Sequence, residues 1–227
     1  GWYISAPVDS FPSSPPSTPA APPPPGLPPP PPMVDLGTSY VELGDDFQGT
    51  MDNATSNVTT LVATVQYVLS SRVFVRSGKI LQIGAGTSIY ARHDQTPQPA
   101  IIVERGGQIR AQGTASAPIT FTTILAEAAL TSPGGHWGGL YVLGDAPVRA
   151  AAAVNIAAHI DPALPNPPTY GGSNPADSSG VLSHVRVWHG GGLVPQAADA
   201  KAGGAANYMK GLLLAGVGTG TVIDHVE

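Results

Sequence analysis

From about residue 65 onward, the chain is a series of short apolar segments separated by glycine. The segments recur at a spacing of about 20 residues, which is the range of solenoid repeats. At that offset Leu81 aligns with Ile101, and Gly86 aligns with Gly106, and similar segments follow at residues 119–124, 140–143, 181–188, 212–214 and 222–226. In a solenoid such strands stack about 4.8 Å apart from coil to coil. The sequence therefore predicts an all-β parallel β-helix with about 20 residues per coil.

Composition and charge exclude several classes of protein. Charged residues make up 11 % of the chain and the net charge is −5, so no basic surface is available to neutralise nucleic-acid phosphates. The chain has no cysteine, which excludes disulfides, thiolate metal sites and cysteine nucleophiles. It also has no uninterrupted apolar run long enough to cross a bilayer, so we predict no membrane span. We predict no cofactor and no metal site.

The N-terminal part of the chain is rich in proline, and most of the 25 prolines fall within residues 1–32. Proline fixes φ and cannot donate a backbone hydrogen bond, so this segment is predicted to form an extended polyproline II tail. The stretch from Pro12 to Pro32 would reach about 65 Å. Hydroxyl residues among the prolines are typical of O-glycosylated stalks, and they are Ser13, Ser14, Ser17 and Thr18. The alternative interpretation is a disordered linker.

An apolar group of residues precedes the proline-rich segment. It consists of Trp2, Tyr3, Ile4, Val8 and Phe11. These side chains either bind a neighbouring copy of the chain, by aromatic contacts or by strand addition, or pack back on their own β-helix. We take them as a candidate assembly anchor.

Residues 33–64 are predicted to be a junction between the tail and a β-helix that occupies residues 65–227. The junction contains two N-glycosylation sequons, at Asn53 and Asn57. It also contains the adjacent acidic pair Asp45 and Asp46, which is predicted to lie in a solvated turn outside the coils. An alanine- and proline-rich stretch at residues 149–179 interrupts the repeat, and we expect it to be a loop inserted into one coil.

Histidines and one tryptophan are the remaining candidates for chemistry. The separation of His184 and His225 along the chain amounts to about two coils of the repeat. Two coils correspond to about 10 Å, too far for one metal ion to bridge, so stacked or exposed histidines are the favoured interpretation, for these two and for His189. Trp137 is expected to cover the core, and sugar stacking is the alternative.

Three motifs in the repeat region are specific: Trp137-Gly138-Gly139-Leu140, Leu143-Gly144-Asp145-Ala146-Pro147-Val148 and Gly216-Val217-Gly218-Thr219-Gly220-Thr221. The segments that contain them resemble a family of secreted right-handed parallel β-helix proteins, mostly bacterial and uncharacterised. The resemblance covers residues 65–227 and implies a right-handed β-helix in an exported protein. It brings no catalytic residues with it.

The proline-rich tail resembles a different group, the hydroxyproline-rich glycoproteins of algal and plant walls. This resemblance implies hydroxylated prolines that carry short glycans. The candidate positions are Pro22, Pro23, Pro24, Pro25, Pro28, Pro29, Pro30, Pro31 and Pro32.

These observations lead to a functional prediction. We expect a non-catalytic structural subunit of an extracellular glycosylated fibre or surface matrix, which assembles head-to-tail through open β-helix ends and its tail. Its partners would be copies of itself and covalent glycans. The alternative is a cell-surface β-helix that binds or cleaves polysaccharide. Both hypotheses place the protein outside the cell or on its surface.

Overall fold

The computed structural model describes residues 32–37, 39–150, 152–194 and 208–227. All of them belong to the second of two compact units, Pro31–Glu227. The predicted polyproline tail lies outside the described residues except for Pro32, and the predicted assembly anchor lies outside them entirely. Among the described residues, no helix is long and apolar enough to cross a membrane.

Short strands dominate the described residues. They are β1 (Val41–Leu43), β2 (Val58–Leu61), β3 (Tyr67–Leu69), β4 (Arg72–Val75), β5 (Ile80–Ile83), β6 (Ser88–Ala91), β7 (Ala100–Val103), β8 (Gln108–Gln112), β9 (Ile119–Thr123), β10 (Gly139–Leu143), β11 (Val154–Asn155), β12 (Thr169–Tyr170), β13 (Gly180–Val187), β14 (Leu212–Ala215) and β15 (Val222–Val226). The helices are α1 (Asp45–Asn53), α2 (Ala157–Ile160) and a 3₁₀ turn at Glu127–Ala129.

The strands pair in parallel along three ladders, each strand lying beside its equivalent in the next coil. Ladder 1 contains β1, β3, β6, β9 and the second half of β13. Ladder 2 contains β4, β7, β10 and β14. Ladder 3 contains β2, β5, β8, the first half of β13 and β15. From β3 onward the chain visits the ladders in this order, and the predicted parallel β-helix is confirmed.

The coils are longer than the period of the sequence pattern. Tyr67 pairs with Ile89 and Ile80 pairs with Gln108, and in both pairs the partner lies further along the chain than one sequence period. The alignment of Leu81 with Ile101 is wrong, because the two residues lie in ladders 3 and 2, respectively. The 20-residue period of the sequence therefore relates strands of neighbouring ladders, not strands of one ladder in successive coils.

The interior is filled by columns of apolar side chains that stack from coil to coil. In ladder 3, Leu81 lies against Ile109, and in ladder 1 Ile89 lies against Phe121; all four are buried. Inward and outward residues alternate along these strands, as in β5, where Leu81 is buried and Gln82 is exposed. Burial of the continuous column offsets the entropy of ordering each coil.

Ladder 2 is covered on both sides, because the inserted residues pack on its outer surface. A second apolar cluster there joins Ile102 and Tyr141 of ladder 2 to Ile156 and Ile160 of the insertion. Every residue of β7 and β10 is buried, which explains why both strands are continuous apolar runs. The Tyr141 hydroxyl donates to the His159 carbonyl at 3.2 Å and accepts from the Lys210 N–H at 2.9 Å, and burial raises its pKa to about 12.

The β-helix begins before the predicted boundary at residue 65, since β1 and β2 already belong to ladders 1 and 3. Between them, α1 lies beside the free edge of β4. The Gln48 side chain accepts a hydrogen bond from the Phe74 N–H at 2.6 Å and donates to the Phe74 carbonyl at 3.0 Å. This amide therefore satisfies the backbone groups that a strand of ladder 2 would otherwise pair.

An ion pair fastens the insertion to ladder 2 and gives a testable prediction. Arg72 and Asp161 lie 2.9 Å apart, with side chains only 6 % and 17 % exposed. Asp161→Ala leaves the Arg72 guanidinium buried without its partner, so we expect a loss of about 3 kcal/mol in the free energy of unfolding. Urea denaturation measures this loss.

The matched control is Glu42→Ala, which breaks the more exposed pair between Glu42 and Arg92 at 3.4 Å. A surface pair of this kind contributes about 0–1 kcal/mol. Equal destabilisation by Asp161→Ala and Glu42→Ala would contradict the structural role assigned to the buried pair.

Candidate functional site

At the corner between ladders 3 and 1, β13 and β15 each change direction at a single residue, and in both strands that residue is a histidine. β13 bends at His184 and β15 bends at His225, and both residues have a φ of 49°. This is the left-handed region, which few residues other than glycine, asparagine, aspartate and histidine adopt. Earlier coils use longer loops at the same corner, at residues 84–87 and 113–118. The single-residue corners place the two histidines at equivalent positions.

The two imidazole rings stack on each other. Their centroids lie 4.4 Å apart and their planes differ by 5°. The predicted separation of two coils is wrong, because the histidines lie in successive coils: Ser183 pairs directly with Asp224 in the strand register. Of the two predicted arrangements, stacked or exposed, the structure shows stacking, and His225 is exposed as well.

Local hydrogen bonds orient both rings in the same way. Nδ1 of His225 lies 2.7 Å from Oδ1 of Asp224, and Nδ1 of His184 lies 3.2 Å from the Ser183 hydroxyl. The residue before each histidine therefore contacts the equivalent ring nitrogen in both coils. The stacked pair lines a cavity of about 300 Å³, here called the corner cavity, together with Thr114, Ala115 and Pro118 among others.

A second concave surface, here called the tryptophan groove, lies beside ladder 1. It has a volume of about 490 Å³ and is lined by Glu127, Pro133, Val187, Trp188 and His189. Trp188 is 36 % exposed. Its backbone is fixed on both sides, since the Trp188 N–H donates to Phe121 at 2.9 Å and its carbonyl accepts from the Trp137 indole N–H at 2.8 Å. The indole is thus presented on a rigid strand end.

Arg186 contacts the tryptophan of the groove without being one of the residues that line it. Its guanidinium lies over the Trp188 ring, 5.1 Å from the centroid, and its Nε lies 3.2 Å from Oε2 of Glu227. The guanidinium therefore restricts the indole by a cation–π contact while its own charge is balanced by a carboxylate. The same side chain also lines the corner cavity.

His189 forms the polar wall of the tryptophan groove. Its Nδ1 lies 2.8 Å from the Thr122 hydroxyl, and the His136 ring lies 6.3 Å away. Burial lowers the pKa of His189, Glu127 opposes this effect, and His136 adds to it. Burial therefore favours the neutral imidazole, in which one ring nitrogen donates a hydrogen bond and the other accepts one.

The other predicted site residues lie elsewhere. Asp45 and Asp46 occupy the first turn of α1, within the first coil rather than in a separate turn. Trp137 is 1 % exposed and belongs to the interior cluster, so its predicted role in covering the core is confirmed and sugar stacking on it is excluded. Asn53 and Asn57 are both exposed, and their glycosylation stays a prediction.

Sequence reasoning missed Trp188, Arg186 and Glu127. Trp188 and Arg186 could have been found, because they follow His184, along and just after β13, at alternating positions that face outward. Glu127 could not be found in this way, since it comes from a 3₁₀ turn that only the folded chain brings to the groove.

Comparison with known proteins gives one finding. A family model described as a pectate-lyase-like β-helix domain matches residues 52–227. No curated protein and no solved structure matches the chain.

The lowered pKa of His189 predicts how stability depends on pH. Near and below the usual imidazole pKa of about 6.5, the unfolded chain binds more protons at this site than the folded chain does. The contribution of His189 to stability is therefore complete at higher pH and is lost as the pH falls. We expect His189→Asn, which tolerates the local φ of 62°, to reduce this loss.

Urea denaturation of both proteins at about pH 7.5 and about pH 5.5 provides the measurement, since this window brackets the usual imidazole pKa. If acidification lowered the stability of the wild type and of His189→Asn by the same amount, the assignment would be wrong.

Proposed function

The chain belongs to the family of pectate-lyase-like β-helix domains, and we propose that it is a carbohydrate-binding β-helix that holds a neutral polysaccharide in the tryptophan groove without cleaving it. The observation that carries this proposal is the exposed indole of Trp188, fixed at the end of β13 between the guanidinium of Arg186 and the imidazole of His189.

The chemistry of the groove suits a sugar ring. Sugars have an apolar face of C–H groups and a rim of hydroxyls, so they pair with an aromatic face that is surrounded by hydrogen-bonding side chains. Trp188 supplies the aromatic surface, and Glu127 and His189 supply acceptors and donors beside it. Rigid backbone contacts on both sides of Trp188 reduce the entropy lost on binding.

The charges favour a neutral polymer over an acidic one. Arg186 is paired with Glu227, so its positive charge is already balanced, and Glu127 adds a negative charge in the groove. The whole chain carries a net charge of −5, which would repel a polyanion.

Binding without cleavage is favoured by the number of carboxylates. Glycoside hydrolysis generally uses two of them on either side of the scissile bond. Among the described residues that line the tryptophan groove, Glu127 is the one carboxylate. A role in binding requires no second acid.

We extend the proposal to the location of the protein. An extracellular or cell-surface, glycosylated protein is supported by the exposure of both sequon asparagines, Asn53 and Asn57, which would leave room for attached glycans.

A structural subunit that assembles with copies of itself is the second candidate. It is favoured by an apolar surface at the first coil, where Tyr40, Val41 and Val62 are all exposed. Head-to-tail contact there would use the edges of β1 and β2, which pair with no further strand among the described residues. The edge of ladder 2 is already covered by α1 and the Gln48 amide.

Substitution of the tryptophan tests the leading proposal. We expect the wild type to be retarded in native gels that contain a neutral polysaccharide such as a β-glucan, a mannan or a xyloglucan. Trp188→Ala should weaken this binding by about tenfold or more, which corresponds to about 1.4 kcal/mol. Incubation should release no shorter sugars and no unsaturated products.

The matched control is Tyr40→Ala, because Tyr40 is similarly exposed, at 41 %, but lies at the first coil. It should bind as the wild type does. Binding that is unchanged in Trp188→Ala, or restricted to acidic polysaccharides, would overturn the proposal. Failure to bind any polysaccharide, with concentration-dependent assembly in sedimentation velocity, would favour the structural candidate.

A further inference from the structure

We infer that the stacked histidines at the corner cavity form a site for a divalent transition-metal ion such as Zn²⁺, with His184 and His225 as ligands and the Asp224 carboxylate beside them. This site is separate from the proposed polysaccharide-binding function. It rests on the arrangement of one cluster of side chains in successive coils.

Distances within the cluster suit a shared ion. One potential ligand atom from each of His184, Asp224 and His225 lies within 4.8 Å of the others. Atoms that bind the same Zn²⁺ at about 2.0–2.1 Å lie about 3.3 Å apart, so the two rings must tilt out of their parallel stack to direct one nitrogen each at a shared ion. The side chains of His225 and Asp224 are 66 % and 54 % exposed, so the ring and the carboxylate that contacts its Nδ1 are free to rotate together.

Hydrogen bonds already orient the rings as outer-sphere groups do in metal sites. A metal-binding histidine commonly uses its other ring nitrogen to contact a carboxylate or another oxygen. Here Nδ1 of His225 contacts Asp224, and Nδ1 of His184 contacts the Ser183 hydroxyl. The two rings line the corner cavity, whereas Ser183 and Asp224 do not.

The residue type at the corner also needs an explanation. A left-handed φ is most easily adopted by glycine, and asparagine, aspartate and histidine are the usual substitutes. Histidine occupies the position in both coils, although the backbone alone does not require an imidazole. Two stacked imidazoles repel each other when both are protonated, whereas a shared cation holds two neutral rings together.

The donor set selects the class of ion. Imidazole nitrogen suits Zn²⁺, Cu²⁺ and Ni²⁺, whereas Ca²⁺ and Mg²⁺ prefer oxygen ligands. Arg186 lies at the same cavity, but its charge is balanced by Glu227 at 3.2 Å. The cavity therefore carries no uncompensated positive charge from Arg186 that would repel a cation.

Isothermal titration calorimetry with ZnCl₂ on the full chain tests the inference. We expect one Zn²⁺ per chain at this site, and no competition from an excess of Ca²⁺. His184→Asn and His225→Asn should each weaken Zn²⁺ binding by about tenfold or more, and Asp224→Asn should also weaken it. Asparagine accepts the left-handed φ, so these variants are expected to keep the fold.

His159→Asn is the control, because His159 lies on α2 in the insertion, and it should leave Zn²⁺ binding unchanged. Circular dichroism and thermal unfolding in the absence of metal establish that each variant is folded. If His184→Asn is unstable, His225→Asn provides the test by itself. His225 is the more exposed of the two residues, so its substitution disturbs the packing less. No Zn²⁺ binding by the wild type, or binding that His225→Asn leaves unchanged, would overturn the inference.

Discussion

Parallel pairing of successive coils is the constraint on which the rest of the structure depends. Each strand lies in register with its equivalent one coil later. Residues at equivalent positions of successive coils are therefore stacked about 4.8 Å apart. Inside the β-helix this rule places Ile89 against Phe121 and builds the apolar column. At the corner between ladders 3 and 1, the same rule places the ring of His184 against that of His225. The interior and the candidate metal site therefore have one physical origin.

The three ladders differ in what remains available for function. The insertion between β10 and β13 covers the outer side of ladder 2, where Tyr141 and Ile160 share an apolar cluster. At the end of the last strand of ladder 1, Trp188 is exposed among the described residues. A family whose description refers to a polysaccharide lyase is consistent with a sugar-binding surface at such a position, although the groove holds a single carboxylate among its described lining residues. The arrangement supports the proposal that the groove binds polysaccharide.

The fold could be predicted from the sequence because the apolar segments and glycine turns are local signals. Strands such as Ile119–Thr123 and Val222–Val226 agree closely with the predicted segments. The coil length could not be predicted, because Leu81 and Ile101 give the same apolar pattern although they lie in different ladders. That error also placed one coil too many between the two stacked histidines. The tryptophan groove could not be predicted for another reason, because only the folded chain brings Glu127 close to Trp188.

Disulfide trapping tests the register most directly, because the natural chain contains no cysteine. Val181 pairs with Val222 on one side and with Arg110 on the other. The Cα atoms of adjacent strands lie about 4.8 Å apart, within the range that a disulfide spans, whereas two coils correspond to about 10 Å. Val181→Cys combined with Val222→Cys should therefore crosslink on mild oxidation, and Arg110→Cys combined with Val222→Cys should not. Crosslinking of the second pair but not of the first would contradict the register and the stacking of the two histidines.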